Sequence, residues 1–156
     1  MATINKFNKF LLTQMNGGTD TTGGSTSSSA RVVDFDTDTI KVMLVSSAFT
    51  PSATGHSTKT SVTSEVSGTN YTAGGATLGS VTVADSSGVI TFAAADTVWT
   101  SSGSGFSTAR YAIIYKDTGT AGTSTLIGWV DFGINCNNTS ANFTIQWSTS
   151  GIATWA

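Results

Sequence analysis

Two hydrophobic rhythms run along this chain. The first is helical and occurs once. Ile4, Phe7, Leu11 and Met15 recur at i, i+3, i+7 and i+11, and Phe10 widens the stripe. That spacing lays apolar side chains along one face of an α-helix. Thr3 stands at the N-cap position, and Asn16-Gly17-Gly18 ends the run. The pattern predicts a helix over residues 3–15. A helix this short is marginal alone in water, so its stripe must pack on the body of its own chain or on a neighbouring subunit. The second rhythm has period two and recurs from residue 40 onward. Alternating or continuous apolar runs predict strands over 40–45, 78–83, 89–93, 96–100, 110–116, 126–132 and 143–147. Turn chemistry separates them, as at Asp85-Ser86-Ser87-Gly88. Short strands at this spacing predict an all-β fold, an antiparallel β-sandwich or jelly roll with one short N-terminal helix.

Between the two rhythms, residues 17–30 (GGTDTTGGSTSSSA) hold no large apolar side chain and no period. That is the composition of a flexible linker or a long exposed loop. The chain therefore divides into a helix or arm over 1–16, a linker over 17–30 and a β body over 31–156. Within the body, residues 64–83 (SEVSGTNYTAGGATLGSVTV) carry the densest turn chemistry. They hold the only glutamate, Glu65, with Gly68 and the pair Gly74-Gly75 on either side of Tyr71. No G-x-x-x-x-G-K-[ST] or G-x-G-x-x-G frame surrounds these glycines, so a phosphate cradle does not fit. Gly68, Tyr71, Gly74 and Gly75 are expected to be architectural, forming tight turns that set the register of the strand at 78–83.

Composition narrows the class. A chain of 156 residues suits one domain, and at this size it folds without help from disulfides or metal. Charged residues make up only 10% and hydrophobic residues 38%. A weakly charged chain rich in Thr, Ser and Gly, with 10% aromatics, suits strands and turns rather than disorder. The net charge is −2 and the seven cations are scattered, so no basic patch is available for nucleic acid. One cysteine, Cys136, rules out an internal disulfide framework. No apolar run is long enough to span a membrane. The early FLL piece is too short for a secretory segment, and the chain is expected to fold in the cytoplasm where it is made. So few charges leave strand edges prone to pairing with other chains, which points to an oligomer.

Candidate chemistry is sparse. Asp34, Asp36 and Asp38 alternate like calcium ligands. Counted from Asp34, however, the glycine and glutamate of an EF-hand fall on Thr39 and Val45, so these carboxylates are expected to cap turns. His56 is the only histidine and is expected to bond backbone or solvent. No nucleophile elbow and no S-x-x-K pattern occurs. Asn-x-Ser/Thr triplets near Asn70, Asn137, Asn138 and Asn142 are ordinary in so Asn- and Thr-rich a sequence. Trp99, Trp129 and Trp147 lie inside predicted strands and are expected to supply core area. Trp155, beside the end of the sequence, is an interface candidate.

The pieces DFDTDTIKVMLV, SEVSGTNYTAGGATL, ADTVWT, ARYAIIYKDTGTA, LIGWVDFG and NFTIQWSTSGI, in this order, resemble a family of small structural proteins of tailed bacteriophages. The resemblance covers nearly the whole chain except 17–30. Its most specific parts are EVSGTNYTAGG and RYAIIYKDTGT. Where relatives carry Gly-Tyr after the turn, this chain has Asn70-Tyr71, and Asn tolerates positive φ. The resemblance implies a place in the virion, with no catalysis, cofactor or metal. It points to a head decoration or cement protein bound between major capsid subunits, with the major capsid protein and other copies of itself as partners, in a dimer or trimer. The alternative is a tail-associated or receptor-binding protein with loop aromatics such as Tyr71 or Phe106 exposed in a groove. The expected interface residues are Ile4, Phe7, Leu11 and Trp155. A polysaccharide hydrolase would need a pair of carboxylates, which with a single glutamate would come from aspartates such as Asp96 and Asp131.

Overall fold

The computed structural model describes residues 1–15, 29–101 and 103–155. In chain order the elements are β1 (Asn5–Lys6), α1 (Asn8–Met15), β2 (Ile40–Ser46), β3 (Ala76–Thr77), β4 (Thr82–Ser86), β5 (Val89–Ala93), β6 (Thr97–Trp99), β7 (Ala109–Lys116), β8 (Leu126–Cys136), β9 (Phe143–Ile145) and β10 (Ala153–Trp155). Three antiparallel sheets are built from them, ordered β1-β8-β7-β2-β3, β10-β5-β4 and β6-β9. They share one apolar core, so the all-β class with a short N-terminal helix is the observed one.

The middle of the large sheet explains its sequence. β2 pairs with β7 from Ile40↔Lys116 to Ser46↔Ala109, with an irregularity after Val45. Val42, Met43, Leu44 and Val45 are all buried, as are Ile113 and Ile114. Both faces of these strands are covered, which is why they read as continuous apolar runs rather than strict alternation. On the face carrying Lys41, Met43 and Val45 only Lys41 is polar, and its ammonium lies 2.8 Å from Asp117.

The β4–β5 hairpin closes through Ser87 (φ 53°) and Gly88 (φ 80°). Positive φ at both central residues is the two-residue turn whose twist matches antiparallel strands. Every β4 side chain is exposed, and β4 forms one edge of its sheet.

Several expectations need correcting. The helix starts at Asn8, not Thr3. Residues 2–7 are an extended strap instead. The Ala2 N–H donates to the Gln146 carbonyl at 2.6 Å, and Ser148 N–H donates back to Ala2 at 3.1 Å. Ile4 N–H donates to Ile152, Phe7 N–H to Ile127, and Asn5 and Lys6 pair with Trp129 and Gly128. The strap thus joins β8 on one side to residues 146–152 on the other. Long-range pairing supplied partners for its backbone, and that overrode a period of only two apolar positions. The predicted stripe is also split. Phe7 and Phe10 point into the core, whereas Leu11 and Met15 are 44% and 85% exposed.

The strand expected over 78–83 is mostly a connection: β3 ends at Thr77 in the large sheet, and β4 begins only at Thr82 in another. Leu78 donates its N–H to Ile40 at the end of the large sheet, and the chain turns through Gly79 and Ser80, whose φ is 51°. The strand expected over 126–132 runs on to Cys136. The one expected over 143–147 stops at Ile145, and Trp147 instead bridges Ala2 in parallel. Of the expected linker, residues 17–28 lie outside the described residues, and Ser29–Arg31 form a single 3₁₀ turn. Trp99 and Trp147 are core residues as expected, and Trp129 is half-buried against Phe7.

Candidate functional site

The glycine turn after Glu65 occupies a gap in the outer edge of β2. Residues 64–66 run beside β2, with Ser46 N–H donating to Ser64 at 2.9 Å and Val66 N–H to Leu44 at 3.0 Å. The chain then loops away and returns as β3, pairing Ala76 with Val42 and Thr77 with Lys41. Between these contacts the Leu44 N–H would lack a ladder partner. It donates to the Tyr71 hydroxyl at 2.9 Å. The phenol in turn donates to Glu65 Oε1 at 2.8 Å, and the same oxygen accepts the Gly74 N–H at 2.6 Å. One carboxylate oxygen therefore ties both ends of the turn, and one phenol substitutes for a strand.

From the opposite side Tyr115 of β7, fully buried, donates to the Gly74 carbonyl at 2.7 Å. Lys59 Nζ lies 3.4 Å from the Tyr115 oxygen and 5.0 Å from the ring centre. Burial pushes the Tyr71 phenol far above its ordinary pKa, and the neighbouring Glu65 charge pushes it further. Burial raises Tyr115 likewise, helped by the charges of Asp117 and Glu65. Both phenols therefore stay protonated and remain donors. Gly74 and Gly75 have φ of 91° and 76°. A Cβ on Gly75 would overlap the Val42 carbonyl oxygen and the Met43 Cα, so the backbone lies against β2 where no side chain fits. Gly68 bridges Phe106, and a Cβ there would strike the Gly105 carbonyl. Tyr71 and Gly74 are thus tied to the sheet by hydrogen bonds, Gly75 by close backbone approach, and Gly68 pairs with Phe106 at the start of the turn.

Sequence reasoning found Glu65, Tyr71 and the glycines but missed Tyr115 and Lys59. The available signal was Tyr115 itself, because a tyrosine in a continuous apolar strand needs a partner for its hydroxyl. It also missed Asn138, which is fully buried. Its Oδ1 accepts the Phe106 N–H at 2.6 Å and its Nδ2 donates to Thr100 at 3.4 Å, fastening the loop before β7 to the one after β8.

The expected interface residues separate. Phe7 is fully buried with its ring 4.7 Å from Trp129, so it is a core residue. Ile4 is half-buried above Gly128. Trp155 is half-buried, with Phe10 at 5.9 Å and the Lys6 ammonium 5.3 Å from its ring. Leu11 is exposed, and with Leu12 and Met15 it forms an apolar outward face of α1.

The remaining candidates take local roles. Asp34 Oδ1 accepts the Asp36 N–H, Asp38 Oδ2 accepts the Asp34 N–H, and Asp38 pairs with Lys116 at 2.8 Å. No group of three possible metal ligands occurs among the described residues. His56 Nδ1 accepts the Ser52 N–H at 3.2 Å and the ring stacks on Phe49 at 5.0 Å. Asp96 accepts the Trp147 N–H at 2.9 Å, and both oxygens of Asp131 bind Arg110. A groove of about 410 Å³ beside the turn is lined by Asn70, Thr72, Gly75, Val98 and Trp99. Trp99 is only 5% exposed and Phe106 is fully buried, so these two rings offer no open face to a sugar. Comparison with known protein families, curated proteins and solved structures returns no match.

Proposed function

We propose that this chain is a structural protein of a bacteriophage virion, a decoration or cement protein that binds the assembled head between major capsid subunits and contacts other copies of itself. The observation that carries the reading is the outward face of α1. Leu11, Leu12 and Met15 are 44%, 37% and 85% exposed on a helix of eight residues. Residues 16–28, which follow the helix directly, hold no large apolar side chain and so offer this face no apolar cover. Contiguous exposed apolar surface marks an interaction site. The resemblance of EVSGTNYTAGG and RYAIIYKDTGT to phage structural proteins supplies the setting. The mechanism is mass action: a protein that binds only the assembled shell stabilises it by RT ln(1 + [L]/Kd) at each site. The test is cryo-electron microscopy of the particle that contains this chain. Density between capsid subunits, at three-fold or quasi-three-fold positions, is the expected result. Density on the tail alone overturns the head assignment and leaves the tail-associated alternative.

A further inference from the structure

We infer that the N-terminal segment 2–15, the strap with the helix α1 that follows it, is exchanged between copies, each chain seating its strap in the groove of a neighbour. The inference rests on the self-association in the proposed function and names the segment that performs it. The groove is a slot that only a strand can fill. One wall is β8, paired through Asn5↔Trp129 and Lys6↔Gly128. The other is the stretch 146–152, bonded to Ala2 and Ile4. Gly128 lacks a side chain where Ile4 lies over it, and Phe7 and Phe10 fill apolar space at 0% and 4% exposure. A strap from any copy makes these same contacts, so contact energy does not distinguish the home groove from a neighbour's. The choice falls to the connector.

The connector is far longer than the home position needs. Gln14 Oε1 accepts the Val33 N–H at 2.7 Å, so the chain leaves α1 and returns to nearly the same place. A few residues would close that gap, and connections in compact domains are commonly of that length. Instead, residues 16–28 intervene, rich in Gly, Ser and Thr. A segment of that length reaches about 45 Å when extended. Such a chain favours its own groove in dilute solution through an effective concentration in the millimolar range. In an array, where neighbours are held side by side, the same reach makes the adjoining groove equally accessible.

The test uses the full chain with Cys136→Ser and a cysteine pair at the register partners Asn5→Cys and Trp129→Cys. Antiparallel partners stand about 5.5 Å apart at Cα, within disulfide reach. The protein is oxidised as a dilute monomer and again as the concentrated oligomer, then denatured without reductant. Exchange is expected to give internally linked monomer in the first case and covalent species at twice the chain mass and above in the second. Internal links alone in an established oligomer overturn exchange while leaving self-association intact. A chain that stays monomeric at all concentrations overturns both. Should the Trp129 change disturb the core, Lys6→Cys with Thr154→Cys gives the same readout. Both positions are exposed, Lys6 Nζ reaches the Thr154 carbonyl at 2.6 Å, and a short bismaleimide joins the pair.

Discussion

Tyr71 holds an N–H that the sheet leaves unpaired, and that gives its hydroxyl a measurable weight. Tyr71→Phe strands the Leu44 N–H and removes one donor from Glu65. The expected cost is about 1–3 kcal/mol, a fall in Tm of about 2–12 °C for a domain of this size, read by calorimetry. Glu65→Gln keeps an oxygen for the same two donors and should stay within about 1 kcal/mol of the parent, whereas Glu65→Ala should match or exceed the Tyr71→Phe loss. A large loss in Glu65→Gln would mean that the charge itself matters. The titrating groups add a pH signature. Burial, with the Lys9 charge, holds the His56 pKa below its ordinary 6.5, and protonating Nδ1 would break its bond from Ser52. The unfolded chain therefore binds a proton first, and stability declines as pH falls from about 6.5 toward the folded value. Asp117 is held low mainly by its hydrogen bond to Lys41, and Asp131 mainly by that to Arg110. Their contribution is present above the ordinary 3.8 and is lost as pH falls below it through the folded values. Denaturant titrations from pH 7 to pH 3 should show two declines, and His56→Asn should remove only the upper one.

At the scale of elements, the strap is the piece whose structure departs furthest from its sequence pattern. Phe7→Ala should cost about 3–5 kcal/mol, as for a fully buried aromatic, and denaturant unfolding checks it. Leu11→Ser, on the outward face, should leave folding within about 0.5 kcal/mol of the parent and weaken assembly instead. Legibility followed the same division. Strands such as β7 and β8 were readable because their apolar runs are long and bounded by turns. The first seven residues were not, because two apolar positions, Ile4 and Phe7, are too few to fix a period. Only the partners at Gln146, Ile152, Trp129 and Gly128, far along the chain, decide between them. The same holds at the candidate site. Gly74, Gly75 and Tyr71 announce a turn locally, but Tyr115 and Lys59 enter it from elsewhere in the sequence, and spacing carries no trace of that meeting.

For the whole molecule, a charged fraction of 10% sets the expected character of assembly. In the proposed assembly, contacts by Leu11, Leu12, Met15 and strand pairing would carry little Coulombic energy, so self-association should persist from 0.1 to 1 M salt when followed by sedimentation, where an assembly held by exposed ion pairs would dissociate. The three sheets meet in one core, yet the tip of the β4–β5 hairpin, Ser87-Gly88, is exposed, and a Cβ on Gly88 meets nothing. The strands beneath that tip are tied by five register pairs. Insertions at exposed loop tips are the ones folds tolerate. The hairpin is therefore where this protein can acquire new sequence without renegotiating its fold, whether by natural drift or by grafting a foreign epitope.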